Sequence, residues 1–134
     1  MEKYIIDIET KKAELAKGDD DYNIFSSYVL GEVEFGEDEI RIEYSDNDAK
    51  AVLTVTDTLV TVHSTGVATS SLVFSKGKQC GGEYSVPEGR LQVTTYTHDI
   101  LNKLNSSERS LTIDYEINFG GNTCDRSIIT YKLK

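Results

Sequence analysis

Leu111-Thr112-Ile113-Asp114-Tyr115-Glu116-Ile117-Asn118 alternates apolar and polar side chains without a break. A period of two marks a β-strand with one face buried and the other in water. Glu39-Ile40-Arg41-Ile42-Glu43-Tyr44 repeats the pattern, and near the start Tyr4, Ile6 and Ile8 alternate with Ile5, Asp7 and Glu9. Half-wet strands of this kind belong to antiparallel sheets, because strands buried on both faces read as continuous apolar runs.

Composition agrees with the pattern. Thr, Val, Ile and Tyr contribute 13, 10, 11 and 8 residues, 42 in all, against 5 alanines, and branched or aromatic side chains suit a pleated surface. Further runs read as strands at 28–35, 50–56, 59–64, 71–75, 82–86, 90–97 and 125–133, which brings the total to about ten. Thr56-Asp57-Thr58, Lys76-Gly77-Lys78, Pro87-Glu88-Gly89 and Gly120-Gly121-Asn122 separate them and have the length of hairpin loops. Only 10–18 and 98–104 look weakly helical, and neither suffices for a βαβ crossover. A meander this long hides its edges by curling. The expectation is therefore an all-β, antiparallel, meandering barrel of about eight to ten strands, built as one domain over residues 1–134.

Gly77-Lys78-Gln79-Cys80-Gly81-Gly82-Glu83-Tyr84-Ser85-Val86-Pro87-Glu88-Gly89 holds four glycines, one of two cysteines and the single proline. A phosphate-binding loop would lead from a strand into a helix and close on Lys-Ser or Lys-Thr, and no such motif occurs here. Gly77 and Gly89 instead supply the positive φ of tight turns, Pro87 presets a turn, and Gly81-Gly82 suggests a bulge or a strand start.

A chain of 134 residues buries roughly 68% of its unfolded surface in a single core, so it needs no disulfide. Cys80 and Cys124 form no paired motif, and reduced thiols in a cytoplasmic protein are the expectation. The apolar patch in MEKYIIDIET carries an acid and fits neither a signal peptide nor a membrane span. Charge is unevenly spread: residues 1–50 hold 6 bases and 15 acids, whereas residues 51–134 hold 8 of each, which together give the net −9. Without a basic footprint, nucleic acid and anionic membranes are poor partners. The acid reads as a solvated face, or as a site for a basic protein partner.

Val60-Thr61-Val62-His63-Ser64-Thr65-Gly66, Leu72-Val73-Phe74 before Gly77-Lys78, Tyr84-Ser85-Val86-Pro87-Glu88-Gly89 and the late Tyr115 resemble the DUF1934 family, the YwiB-like bacterial proteins. The likeness runs from about Glu32 to the C-terminus. It implies a lipocalin-like, calycin-type barrel and no particular activity. This chain departs from the family by having His63-Ser64 where an arginine usually precedes the glycine, and Val86-Pro87-Glu88-Gly89 in place of a Thr-Pro-Tyr-Gly turn.

Chemistry-bearing residues are few. His63 shares its parity with Leu59 and Thr61, which points it outward. His98 follows the 90–97 strand and, with Arg90, is a candidate polar site at a barrel mouth, but the adjacent Asp99 projects the opposite way and makes no dyad with it. Cys80, His98 and Cys124 lack zinc-type spacing. Asp19-Asp20-Asp21, Glu37-Asp38-Glu39 and Asp46-Asn47-Asp48 lack the calcium-loop pattern. No metal or cofactor is called for. Tyr44, Tyr115 and Tyr131 share strand faces with inward aliphatic residues, so they either fill the core or line a ligand cavity. Three functions follow: a barrel binding a small apolar or amphipathic ligand; a module using the acidic first third; and, weakest, an enzyme at His98.

Overall fold

In the computed structural model, which describes residues 2–14, 23–46, 48–119 and 123–134, the alternating segments become ten antiparallel strands. They are β1 (Glu2–Glu14), β2 (Asn23–Phe35), β3 (Ile40–Asp46), β4 (Ala49–Val55), β5 (Val60–Thr65), β6 (Thr69–Phe74), β7 (Gln79–Val86), β8 (Gly89–Lys103), β9 (Ser110–Phe119) and β10 (Thr123–Leu133). Each pairs with its sequence neighbour, and β1 pairs with β10 from Ile6 opposite Leu133 to Glu14 opposite Asp125, which closes the barrel. The β2–β3, β4–β5, β6–β7 and β8–β9 connections form one rim, called the lower rim here, and the others the upper.

The opening stretch shows why the barrel has an inside. Leu111, Ile113 and Ile117 are buried, whereas Thr112, Asp114 and Glu116 stand on the outer wall. Ile6, Val33, Ile42, Leu53 and Phe74 meet them across the axis. At the lower end Leu104, which has no exposed surface, folds inward from the β8–β9 loop and plugs the core. Arg109 holds that loop. Its φ is 48°, its Nη1 donates to the Leu104 carbonyl at 2.7 Å, and its guanidinium lies 4.5 Å from the centre of the Phe35 ring. The Leu133 N–H donates to its carbonyl at 2.9 Å, which ties the loop to β10.

Strand lengths do not match around the barrel. β7 pairs with β8 from Val86 opposite Gly89 to Gln79 opposite Tyr96, after which an isolated parallel bridge joins Lys76 to Thr97. Beyond that point residues 99–103 pair with β9 alone. At the upper end residues 23–30 of β2 pair with β1 alone, because β3 joins only from Gly31 opposite Tyr44. Between β6 and β7 the ladder is short, with Thr69, Ser70 and Ser71 opposite Ser85, Tyr84 and Glu83. Below it Thr95 of β8 donates from Oγ1 to the Val73 carbonyl at 2.7 Å.

Several expectations are corrected. Residues 98–103 are strand rather than weak helix: a β-bulge between Thr97 and Asp99 absorbs one residue, and pairing with β9 then resumes. Thr10, Lys11 and Lys12 are strand too, paired on both sides by β10 and β2, while 15–18 lie outside the described residues. Tertiary pairing overrides weak local preference in both places. Gly81 and Gly82 make no bulge, and Cys80 beside them sits in β7. Gly82 is needed for close approach, since a Cβ there would lie 2.7 Å from the Ser71 carbonyl oxygen. Gly77, at φ 74°, and Gly89, at φ 152°, do supply positive φ. Asp19-Asp20-Asp21 and the Gly120-Gly121-Asn122 connection lie outside the described residues. The remaining acidic runs are split, with Glu37, Asp38 and Glu39 exposed at the lower rim and Asp46 and Asp48 exposed at the upper. They make no single acidic face.

Replacing Leu104 with Ala should therefore open the lower plug and lower stability by ~2–5 kcal/mol, the usual range for a buried leucine. Urea unfolding monitored by tyrosine fluorescence would read this as a drop in midpoint, with the slope unchanged.

Candidate functional site

The inward tyrosines occupy the barrel axis. Tyr131 is 3% exposed, and its ring centre lies 6.5 Å from that of Tyr44. Tyr115 packs on Phe74 at 4.6 Å, and Tyr84 on Phe119 at 5.5 Å. Burial pushes the Tyr131 phenol well above its ordinary value of 10.0, and the nearby phenols of Tyr44 and Tyr115 add to the effect. Burial also raises Tyr44, against a hydrogen bond with Tyr131, and raises Tyr115, against a hydrogen bond with Ser127. The hydroxyls thus find partners inside the core, as buried polar groups must. Nearer the upper rim the buried Asp125 lies 3.5 Å from Lys12 Nζ.

The structure does not bring Arg90 and His98 together. They lie eight positions apart on β8, roughly 25 Å along an extended chain, and Arg90 pairs instead with Glu83 at 3.5 Å. His98 occupies the bulge on the outer wall, and its Nε2 lies 2.6 Å from Glu116 Oε2, with Tyr96 edge-on at 5.0 Å. The carboxylate that meets it comes from β9 and not from Asp99, which pairs with Lys76 at 3.1 Å. Beside this pair, Arg126 donates through Nε and Nη2 to both carboxylate oxygens of Asp114. His63 is exposed, and its Nδ1 lies 2.9 Å from Ser71 Oγ. Glu83 stands opposite Ser71, so the serine, not the histidine, occupies the middle of that row, which is the wrong order for a nucleophile–base–acid relay. Among the described residues no group of His, Cys, Asp and Glu could hold a metal ion, and the Cys124 side chain lies outside them.

The largest opening lies where β8 outruns β7 at the lower rim. This notch encloses about 540 Å³ between the Thr56-Asp57-Thr58-Leu59 turn, the Ser75 to Lys78 turn, and Ile100 with Asn102 of β8. Both turns are internally fixed. The Thr56 N–H donates to the Leu59 carbonyl at 2.9 Å, the Leu59 N–H donates back to Thr56 Oγ1 at 3.1 Å, and the Lys78 N–H donates to the Ser75 carbonyl at 3.0 Å.

Backbone alternation sets the chemistry of the far wall. Thr97 bonds toward β7, its carbonyl accepting from Gly77 at 2.7 Å and its N–H donating to Lys78 at 3.3 Å. Antiparallel strands alternate their bonding direction, and the bulge adds one residue, so Ile100 and Asn102 turn their backbone groups toward the notch. The Ile100 N–H is occupied by Asp99 Oδ1 at 3.0 Å. The Asn102 amide and both carbonyls face the opening. Lys76 is paired with Asp99, whereas Lys78 has no ion-pair partner among the described residues. An apolar floor of Leu59 and Ile100, an unpaired ammonium and an open row of backbone groups thus meet at one place. The Lys76-Gly77-Lys78 turn was visible in the sequence, but the mismatch in strand length that opens a notch beside it was not.

Residues 6–134 match the family described as a domain of unknown function, DUF1934. The fold matches the crystal structure of the ywiB protein from Bacillus subtilis with a TM-score of 0.75, over 98% of this chain and 93% of that one, at 19% sequence identity. At that identity the likeness establishes the fold alone. No curated protein sequence matches.

The buried phenols also make stability depend on pH. A raised folded-state value means that the folded protein holds the proton more tightly than the unfolded chain. The stabilisation is complete below the ordinary value of 10.0 and is lost as pH climbs from there through the raised values. In an alkaline titration, the tyrosinate absorbance of Tyr44, Tyr115 and Tyr131 should emerge above pH 10 together with loss of the near-UV dichroism. Their ionisation at pH 10 in the intact fold would contradict the packed core.

Proposed function

The chain belongs to the DUF1934 family, which is defined without a function, and we propose that its barrel is a non-catalytic binding protein that takes a small amphipathic anion in the lower-rim notch. The observation that carries this reading is the meeting of Lys78 with the apolar Leu59 and Ile100 in an opening of about 540 Å³. Ligand sites are concave and mostly apolar, with a few polar groups that fix orientation. Here the Lys78 ammonium would hold a carboxylate, the Asn102 amide and carbonyl would orient a polar neighbour, and the alkyl or aromatic body would lie on Leu59 and Ile100.

The filled axis supports this placement over a ligand among Tyr44, Tyr115 and Tyr131, since those rings already contact one another and Phe74. A binding role is preferred to catalysis because His98 meets its carboxylate on an open outer wall, with no serine, threonine or cysteine among the described residues hydrogen-bonded to it. The free thiol of Cys80 suits a reducing cytosol.

Titration with octanoate, followed by amide NMR, should shift Lys78, Ile100 and Asn102. The Lys78→Glu variant should weaken binding by about tenfold, or ~1.4 kcal/mol, in keeping with loss of one charge-assisted contact. Shifts centred on Tyr44, Tyr115 and Tyr131 would place the ligand on the axis and refute the notch.

A further inference from the structure

The upper overrun of β2 has a different character from the notch. Residues 23–30 bond to β1 on one side and, among the described residues, have no ladder partner on the other. Soluble proteins blunt such an edge with charge, proline, a bulge or a covering segment, because its free N–H and C=O groups accept any compatible strand. Asn23-Ile24-Phe25-Ser26-Ser27-Tyr28-Val29-Leu30 contains no charged residue and no proline, and its register with β1 is continuous. Its large side chains are also open to solvent: Ile24 is 60% exposed, Phe25 58%, Tyr28 68% and Leu30 76%. Ile24, Tyr28 and Leu30 lie on the outer face of the arm, and Phe25 lies on the inner face with Val29. An arm that is apolar on both faces and unpaired along one edge is built for another strand.

We infer that residues 23–30 pair antiparallel with the same residues of a second copy across a two-fold axis, so that one sheet runs from barrel to barrel. The self-match of the sequence selects this occupant. With the axis at Ser27, Ile24 stands opposite Leu30 of the second copy, Phe25 opposite its Val29, and Ser27 opposite its Ser27. Directly opposed apolar pairs of this kind stabilise a sheet, and opposed like charges destabilise it. The strip contributes none of the chain's net −9, so self-pairing sets no charge against itself there. The other open edge, residues 99–103 of β8, carries Asp99 and Lys103 and would set charge against the uncharged apolar strip. Joining β2 of one molecule to β8 of the next would also propagate head to tail into rings or filaments, whereas the two-fold pairing closes on itself at two copies.

Sedimentation velocity across a concentration series should show a dimer for the wild-type chain. The double variant Tyr28→Lys/Leu30→Lys alters exposed positions and should sediment as a monomer with unchanged circular dichroism and a melting temperature that no longer depends on protein concentration. A second measurement fixes the register without depending on that variant. In a Cys80→Ser/Cys124→Ser background, Ser27→Cys should form an interchain disulfide under mild oxidation, and Ser26→Cys, which faces Tyr28 of the partner, should not. A wild-type monomer at all concentrations, a dimer that survives the double variant, equal cross-linking at both serines, or open filaments would each overturn the inference.

Discussion

Everything in this molecule depends on the hydrogen-bond ladder between β1 and β10. It joins the two ends of the meander, and only when it forms do the alternating strands acquire an inside. Closure satisfies backbone groups that an open ten-stranded sheet would leave at its two margins. It also forces strands of unequal length into one ring. β1, β2 and β8 to β10 are long, and β3 to β7 are short, so the ring is tall on one side and low on the other. What closure cannot pair is left exposed at the two shoulders of the tall side, on β8 below and on β2 above.

That asymmetry moves the candidate functions away from the barrel axis. The interior is not an empty container: Leu104 plugs its lower end, and rings fill the space among Tyr44, Tyr115, Tyr131 and Phe74. Aromatic side chains suit this role because they fill volume while their hydroxyls reach neighbours. The open polar and apolar chemistry lies instead where a strand continues without its partner. One shoulder presents an ammonium over an apolar floor, and the other a bare apolar edge; the chemical difference comes entirely from which residues occupy the overrun.

The fold was legible because alternation is a local signal. The 111–118 segment lies as its period requires, and the hairpin turns at Thr56-Asp57-Thr58, Lys76-Gly77-Lys78 and Pro87-Glu88-Gly89 fall where their chemistry suggested. The resemblance to DUF1934 pointed to the same family that the matched residues 6–134 establish. The sites were less legible, for a physical reason. Which carboxylate meets His98 depends on the register of β9 against a bulge, and a bulge has no reliable mark in the sequence around Thr97 and Asp99. The partner of Ser71 likewise depends on strands that neighbour each other only after folding. Parity indicates which way a side chain points; it does not say what stands opposite.

The short ladder between β6 and β7 gives the closed ring a line of least resistance. Local opening follows the regions with fewest backbone bonds. Here Thr69, Ser70 and Ser71 carry the direct pairing, and the Thr95 hydroxyl stitches Val73 of β6 to β8 below. Among the ladder-bonded amides, those on either side of this seam should exchange early with solvent, and a transient break along it would convert the cylinder into a curved open sheet while the β1–β10 closure holds. Breathing of the molecule should thus be directed rather than uniform, favouring the three-pair seam of the low wall over the long ladders of the tall one.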